Sequence, residues 1–245
     1  MLRDLLSGNV DQSTIIQLLA ELVIIFLILP LHEMAHAWTA YKLGDDTASI
    51  QGRMTLNPIA HLDPIGALLM LTTGFGWAKP VPINPRRFNR KHSMRFGIAI
   101  TALAGPVSNL IAALIGMVIY RFYLISDFYT SLTGGYYIRW GYVLSGHAND
   151  TQMLIKMFLE FFISVNIGLA VFNLIPIPPL DGSKVIGYFT PEKFDRWIYQ
   201  NNQIVRIVFL IVLFSGLLSE PMGWLSDQIR DMFLAITDWI PKVFG

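Results

Sequence analysis

The pentapeptide His32-Glu33-Met34-Ala35-His36 contains the side chains of this sequence that are best suited to chemistry. Residues four positions apart lie on one face of a helix, so both imidazole rings can reach the same metal ion. A catalytic zinc ion takes three protein ligands and lowers the pKa of a water molecule toward about 7. Glu33 is placed to accept the proton of that water. The spacing therefore predicts metal-assisted hydrolysis, with His32 and His36 as metal ligands and Glu33 as general base.

The surroundings of this pentapeptide strengthen the prediction. HExxH fixes only three positions and is a weak signal in a soluble helix, where most copies are surface charges. Here it lies in an apolar segment from about residue 14 to residue 42, and ionisable groups inside a membrane are costly and by default functional. Gly44 then favours a helix stop. Glu33 precedes Lys42 by nine residues, which places it about 14 Å from the expected membrane surface.

A third metal ligand is still required, and Asp181 is the strongest candidate. It follows a helix break at Pro176, Pro178 and Pro179 and precedes Gly182, which permits a sharp turn. A broken helix at membrane depth is tolerated only where it is buried in protein or lines a cavity, and a carboxylate there needs a cationic partner. Weaker candidates of suitable chemistry are His61, Asp63, His92 and His147.

Composition places these groups in a membrane protein. Hydrophobic residues form 53% of the 245 residues, charged residues form 14%, and the mean hydropathy is +0.50. Soluble domains contain about 25% charged residues, so this chain cannot cover its surface with polar groups and requires lipid. The net charge of +1, without a basic tract interleaved with aromatics, gives no sign of nucleic-acid binding. The absence of cysteine excludes disulfides and thiolate ligands.

The apolar segments predict an all-α, polytopic bundle of about four to six spans. After the first helix, the strongest segments cover about 96–125, 153–175 and 203–218. The tail that follows is amphipathic and either lies on the membrane or forms a marginal last span. We treat 1–245 as one domain with its core at about 14–190, and with the last span and tail in 203–245.

The segment 45–95 is rich in proline and glycine and differs from the spans. Residues 47–56 alternate in polarity, which favours a strand or hairpin. Residues 65–77 are apolar but too short to cross a bilayer, which favours a re-entrant or buried segment. Residues 79–84 are expected to be extended, because residues that precede proline avoid the helical region. Together they predict a small membrane-associated β or re-entrant region.

Basic residues predict the orientation of the bundle. The loop 126–151 contains a single Lys or Arg, Arg139, whereas residues 79–95 contain six and no acid. The positive-inside rule then places 79–95 in the cytosol and 126–151 outside. Alternating spans bring the HEMAH pentapeptide and Asp181 to the same, cytosolic side. The six basic residues are Lys79, Arg86, Arg87, Arg90, Lys91 and Arg95.

Five motifs occur in a characteristic order: HEMAHAW, LNPIAHLDPIG, GWAKPVPINP, AGPVSN and NLIPIPPLDG. This order, over about 20–190, resembles the site-2 protease family of intramembrane metalloproteases, in a compact form without an inserted PDZ domain. The resemblance implies one zinc ion per chain, bound by His32, His36 and Asp181, with Glu33 as general base. It also implies transmembrane protein substrates, often cut second in a sequence that releases a cytosolic regulator.

The same resemblance draws attention to Asn109 and Asn173, which match polar positions in the family's motifs. Each either contacts the substrate backbone or the oxyanion, or forms a structural hydrogen bond between helices. The GWAKPVPIN segment is a candidate edge strand for an unwound substrate.

Two other functions remain as alternatives. A proteolytically inactive zinc-binding membrane protein would not need Glu33. A metal transporter needs ionisable residues along a path, whereas the later spans contain few besides Glu160 and Asp181. We therefore predict a zinc-dependent intramembrane endopeptidase in the cell membrane, with its site toward the cytosol.

Overall fold

The computed structural model describes residues 19, 22–73, 76–125 and 150–244, and all regular secondary structure in these ranges is helical. The all-α prediction is therefore confirmed for the described residues. A π-helical turn (Ile24–Ile28) and a 3-10 turn (Pro85–Arg87) accompany the α-helices. These are α1 (Leu29–Lys42), α2 (Thr47–Ile50), α3 (Pro58–His61), α4 (Pro64–Thr73), α5 (Met94–Ile125), α6 (Asp150–Asn173), α7 (Asp181–Phe189), α8 (Glu192–Gln200), α9 (Asn202–Phe214), α10 (Ser219–Thr237) and α11 (Trp239–Phe244).

Helices α5 and α6 form the centre of the molecule. Met94–Leu124 and Ile155–Asn173 are each long and apolar enough to cross a membrane, and α8 with α9 qualifies as a third span if the two are counted as one helix bent by 83°. Helices α1 and α7 pack against α5 on one side, and α10 packs against α6 and α5. The α5–α6–α10 core consists of Ala113, Met117, Ile163, Ile167, Val171 and Phe233.

Helix α1 begins irregularly and ends where the sequence predicts. The N–H of Leu29 bonds to the carbonyl of Ile24, which closes the π-helical turn, and Pro30 follows in the first turn of α1. Proline has no N–H to continue the α-helical ladder, which accounts for an irregular turn at this place. The helix ends at Lys42, and Gly44 has a φ of 103°, which a residue with a side chain rarely adopts.

The strand or hairpin predicted for 47–56 is wrong. Asp45 is fully buried, and its Oδ1 accepts hydrogen bonds from the backbone N–H of Thr47 at 3.0 Å and from the hydroxyl of Thr47. Such local bonds from an aspartate favour a turn over an extended chain. The result is the short helix α2, whose buried Ala48 packs on Ala37 and Val81. Local side-chain bonding therefore overrides the alternating pattern.

The rest of this region is short helix and irregular chain. Helix α4 has ten residues, or about 15 Å, and is too short to cross a bilayer, as predicted. Residues 76–84 form no helix, and Asn84 has extended backbone angles. The loop 126–149, with Arg139 and His147, and the start of the predicted first span lie outside the described residues.

Candidate metal centre

Three buried side chains from two distant parts of the sequence meet beside α5. The Nε2 atoms of His32 and His36 are 3.0 Å apart, and they lie 3.3 and 3.1 Å from Oδ2 of Asp181. The residues are 5%, 6% and 7% exposed. Their ligand atoms all lie within 4.8 Å of one another, so one ion can contact all three. The structure thus brings together the three side chains predicted as metal ligands.

A backbone carbonyl fixes the proton on His36. Its Nδ1 lies 2.7 Å from the oxygen of Thr101, on α5. A carbonyl can only accept a hydrogen bond, so Nδ1 of His36 donates. The neutral ring then has its lone pair on Nε2, which faces His32 and Asp181. This is the arrangement in which a histidine binds a metal through Nε2.

Two buried asparagines fix the proton on His32 in the same way. Asn166 Nδ2 donates to the carbonyl of Phe162 at 2.8 Å, which turns its Oδ1 toward Asn109. Asn109 Nδ2 donates to that Oδ1 at 2.9 Å, so its own Oδ1 faces His32 Nδ1 at 2.6 Å and must accept. Both asparagines are 0% exposed. The relay therefore leaves the lone pair of His32 on Nε2.

The convergence of two imidazole lone pairs and a carboxylate oxygen fits a bound cation. Three electron-rich atoms this close repel one another, and two histidines with an aspartate are a donor set of catalytic zinc. Gly105 on α5 leaves the necessary room, because a Cβ at this position would lie 2.5 Å from both Nε2 atoms. The donor set and the space that this glycine leaves both fit a zinc ion.

Asp181 reaches this place because the chain breaks after α6. It is the first residue of α7, and the turn before it spans 174–180. Gly182 is required for space, because a Cβ there would lie 2.2 Å from the carbonyl oxygen of Leu174. Lys184, one turn further on, donates to Oδ1 of Asp181 at 3.0 Å. The other oxygen of Asp181, Oδ2, is thereby left to face the two histidines.

Glu33 is half-buried and is held by a hydrogen bond from a distant segment of the chain. Its Oε2 accepts a hydrogen bond from the backbone N–H of Val81 at 2.8 Å. Val81 belongs to the irregular segment 76–84, and its side chain packs on Ala37. The carboxylate predicted as general base thus directly follows His32, a predicted metal ligand, and has one oxygen fixed by a backbone N–H.

The other predicted residues that the structure describes make their hydrogen bonds or ring contacts elsewhere. His61 Nε2 donates to the carbonyl of Thr55 at 2.7 Å, and Asp63 Oδ1 accepts from the N–H of Gly66 at 2.8 Å. His92 is exposed, with its ring 5.0 Å from that of Phe96 and tilted by 44°, and His147 lies outside the described residues. Asn173 Nδ2 donates within its own helix, to the carbonyl of Leu169 at 3.0 Å.

Sequence reasoning missed two residues of this centre. Asn166 is a polar residue in an apolar helix, a signal that could have pointed to it, but no local pattern pairs it with Asn109. A glycine in an apolar helix suggests close helix packing, whereas a Cβ at Gly105 would meet the ring nitrogens of His32 and His36.

Comparison with known proteins places the chain among metalloproteases. Residues 20–216 match the model of peptidase family M50. "Putative zinc metalloprotease YwhC" of Bacillus subtilis (strain 168) is 39% identical over 228 residues, which cover 90% of this chain and 92% of the relative. "Putative zinc metalloprotease Rip2" of Mycobacterium tuberculosis (strain H37Rv) is 24% identical over 88% of this chain and 70% of the relative, and its Mycolicibacterium smegmatis counterpart is 28% identical over 80% and 69%. No solved structure matches the chain significantly.

Proposed function

We propose that this chain, which belongs to peptidase family M50 and is a zinc metalloprotease, cleaves peptide bonds within or near the transmembrane segments of other proteins. The membrane location is supported by two helices long and apolar enough to cross a bilayer. The observation that carries the proposal is the convergence of His32 Nε2, His36 Nε2 and Asp181 Oδ2 beside one of those helices.

In this proposal His32, His36 and Asp181 hold the zinc ion, and Glu33 is the general base. Zinc, when bound, supplies Lewis acidity that activates water and polarises a carbonyl oxygen. Glu33 takes the proton of the attacking water and delivers it to the amine that leaves, so one carboxylate acts first as base and then as acid. Thr101 and Asn109 keep the two imidazole rings oriented throughout.

The two predicted amides have different parts in the proposal. Both ends of the Asn109 side chain are engaged, by His32 and by Asn166, so we assign it to positioning His32. Asn173 ends α6, is half-buried and uses one N–H on Leu169. Its amide keeps a second N–H, which we assign to the substrate backbone or the oxyanion.

The setting in the membrane completes the proposal. We place the chain as a single multi-pass domain in the cell membrane, with 79–95 and the metal centre toward the cytosol. Helix α4 then enters the bilayer without crossing it. A transporter is less well supported, because the three donors converge on a single point and do not lie along a path.

The test compares the wild-type chain with Glu33→Gln in proteoliposomes that contain a transmembrane reporter. We expect one equivalent of zinc in both proteins and cleavage only by the wild type, because glutamine cannot accept the proton. Full cleavage by Glu33→Gln would exclude the proposed role of Glu33. Wild-type protein that cuts soluble peptides but not the membrane-embedded reporter would refute intramembrane cleavage while leaving metalloprotease activity intact.

A further inference from the structure

Three of the five sequence motifs contain no predicted metal ligand, and two of these, LNPIAHLDPIG (56–66) and GWAKPVPINP (76–85), are joined by a backbone hydrogen bond. The second of these motifs reaches Glu33 through the 2.8 Å hydrogen bond from the N–H of Val81 to Oε2 of Glu33. Val81 is 7% exposed and Glu33 is half-buried. A hydrogen bond to a carboxylate is charge-assisted and among the stronger ones in proteins.

Hydrogen bonds to both N–H and carbonyl groups hold the backbone of the segment that contains Val81. The N–H of Lys79 donates to the carbonyl of His61 at 2.8 Å. Arg53 Nη2 donates to the carbonyl of Lys79 at 2.6 Å and to that of Pro80 at 3.2 Å. Arg53 is 7% exposed, and burying a guanidinium is costly unless it is paired. These carbonyls supply the acceptors that make its burial tolerable.

The two prolines of this segment make Val81 its donor. Pro80 and Pro82 have no N–H, so Val81 is the residue of 80–82 that can donate from its backbone. The residue before a proline avoids the helical region, which favours an extended backbone at Val81. Asn84 is held in turn, because its N–H donates to Oδ2 of the buried Asp45 at 2.6 Å. Within 80–82 the N–H of Val81 is therefore the available backbone donor, and it donates to Glu33.

We propose that the backbone N–H of Val81 positions the catalytic carboxylate, and that Arg53 is the positioning residue that sets this N–H. The inference rests on the proposed role of Glu33 as general base. With Oε2 held by Val81, the carboxylate cannot rotate freely and Oε1 stays directed for proton transfer. The bond touches no metal ligand atom. Its loss therefore lowers kcat and leaves zinc content and KM unchanged.

The decisive pair of variants is Val81→Pro and Val81→Ala, measured as full-length protein in proteoliposomes. Val81→Pro removes the N–H at a position already flanked by prolines, whereas Val81→Ala keeps the N–H and removes packing. Misplacing a catalytic group by about 1 Å costs on the order of 10²-fold in rate, and we expect a loss of that order in kcat for Val81→Pro only. Wild-type kcat in Val81→Pro with full zinc content would overturn the proposal. An increase in kcat would also overturn it, because the N–H would then restrain Glu33.

Arg53→Met and Arg53→Lys decide the case in which Val81→Pro fails to retain zinc. We expect Arg53→Met to lower kcat with zinc bound, and Arg53→Lys to recover part of the rate because its ammonium can still donate to a carbonyl. Unchanged kcat in Arg53→Met, or loss of zinc from it as well, would overturn the proposal. Glu33→Gln is the reference. If it cleaves like wild type, the proposed function of Glu33 has failed, whereas an inactive Glu33→Gln beside a fully active Val81→Pro refutes the positioning alone.

Discussion

The packed helices α5 and α6 contain polar side chains at two levels. The two levels differ in the groups to which these side chains are hydrogen-bonded. At the metal end, Asn109 donates to Asn166, and its Oδ1 accepts a hydrogen bond from His32. At the far end, the hydroxyl of Tyr120 donates to Oε1 of Glu160 at 2.6 Å. Both levels place costly polar groups in apolar helices. The metal end is fully buried and ends on the ring of His32, a proposed metal ligand, whereas the far end is half-buried.

The far end joins helices to one another. Arg230 of α10 donates to the hydroxyl of Ser164, and Arg121 donates to the carbonyl of Leu234 at 3.0 Å and to the hydroxyl of Thr237 at 3.3 Å. These bonds attach the amphipathic tail to α5 and α6. An ionisable residue in a membrane helix is therefore not by itself a functional site. The group to which such a residue is hydrogen-bonded indicates whether its role is catalytic or structural.

The largest effect is expected for Gly105→Ala at the metal end. The added Cβ would lie 2.5 Å from Nε2 of both His32 and His36, and neither ring can retreat without breaking its bond to Asn109 or Thr101. We expect loss of zinc and of protease activity, measured by metal analysis of the purified protein and by reporter cleavage.

Gly168→Ala is the matched control for Gly105→Ala. Gly168 lies on α6, and a Cβ there would meet nothing within 4 Å. Alanine is also the better helix former, so this variant should keep its zinc and fold at least as well as wild type. Zinc at wild-type occupancy in Gly105→Ala would show that the metal centre does not depend on the space beside α5.

The next effect is expected for Asn109→Leu, which removes the acceptor of His32 Nδ1. Outer partners of metal-binding histidines typically contribute 10–100-fold in metal affinity, so we expect the zinc dissociation constant to rise by about that factor. Competition with a chelator of known affinity measures it. Asn166→Leu acts through Asn109 and should have a smaller effect in the same direction. Equal affinities in wild type and Asn109→Leu would contradict the relay.

The predicted and observed structures agree where a local pattern decides. The apolar runs expected at 96–125 and 153–175 are the helices Met94–Ile125 and Asp150–Asn173. Periodicity placed His32 and His36 on one face, and the proline-rich break after α6 pointed to Asp181. These features depend on neighbours along the chain, and sequence reports such neighbours directly.

The features that the sequence could not predict join residues far apart in the chain. Asn109 meets Asn166 across 57 positions, and Glu33 meets Val81 across 48. Each pairing depends on how two elements are aligned against each other, which no window of sequence contains. The alternation at 47–56 failed for a related reason, because the buried Asp45 imposed a turn that polarity alone does not encode.

A moderate effect is expected for Arg95→Ala, which acts on the metal end from the opposite end of α7. The guanidinium of Arg95 donates to the carbonyls of Gly187 and Thr190 and to Asp195 at 2.7 Å, so it ties the end of α7 to the start of α5. Release of that end loosens Asp181 at the first residue of α7. We expect zinc affinity to fall by less than the loss in Asn109→Leu, measured by the same chelator competition. A loss larger than in Asn109→Leu would mean that α7 depends on Arg95 more than His32 depends on its relay.

The smallest effect is expected for Tyr120→Phe at the far end. The substitution removes one hydroxyl and its bond to Glu160, which also lies 3.9 Å from Lys156 and so keeps a partner. Side-chain hydrogen bonds between membrane helices average about 0.6 kcal/mol, so we expect a loss of stability of about that size in a detergent unfolding titration. Zinc affinity and kcat should equal those of wild type. If Tyr120→Phe weakened zinc binding as Asn109→Leu is expected to do, the two levels of α5 and α6 would be coupled, and the far end would belong to the catalytic apparatus.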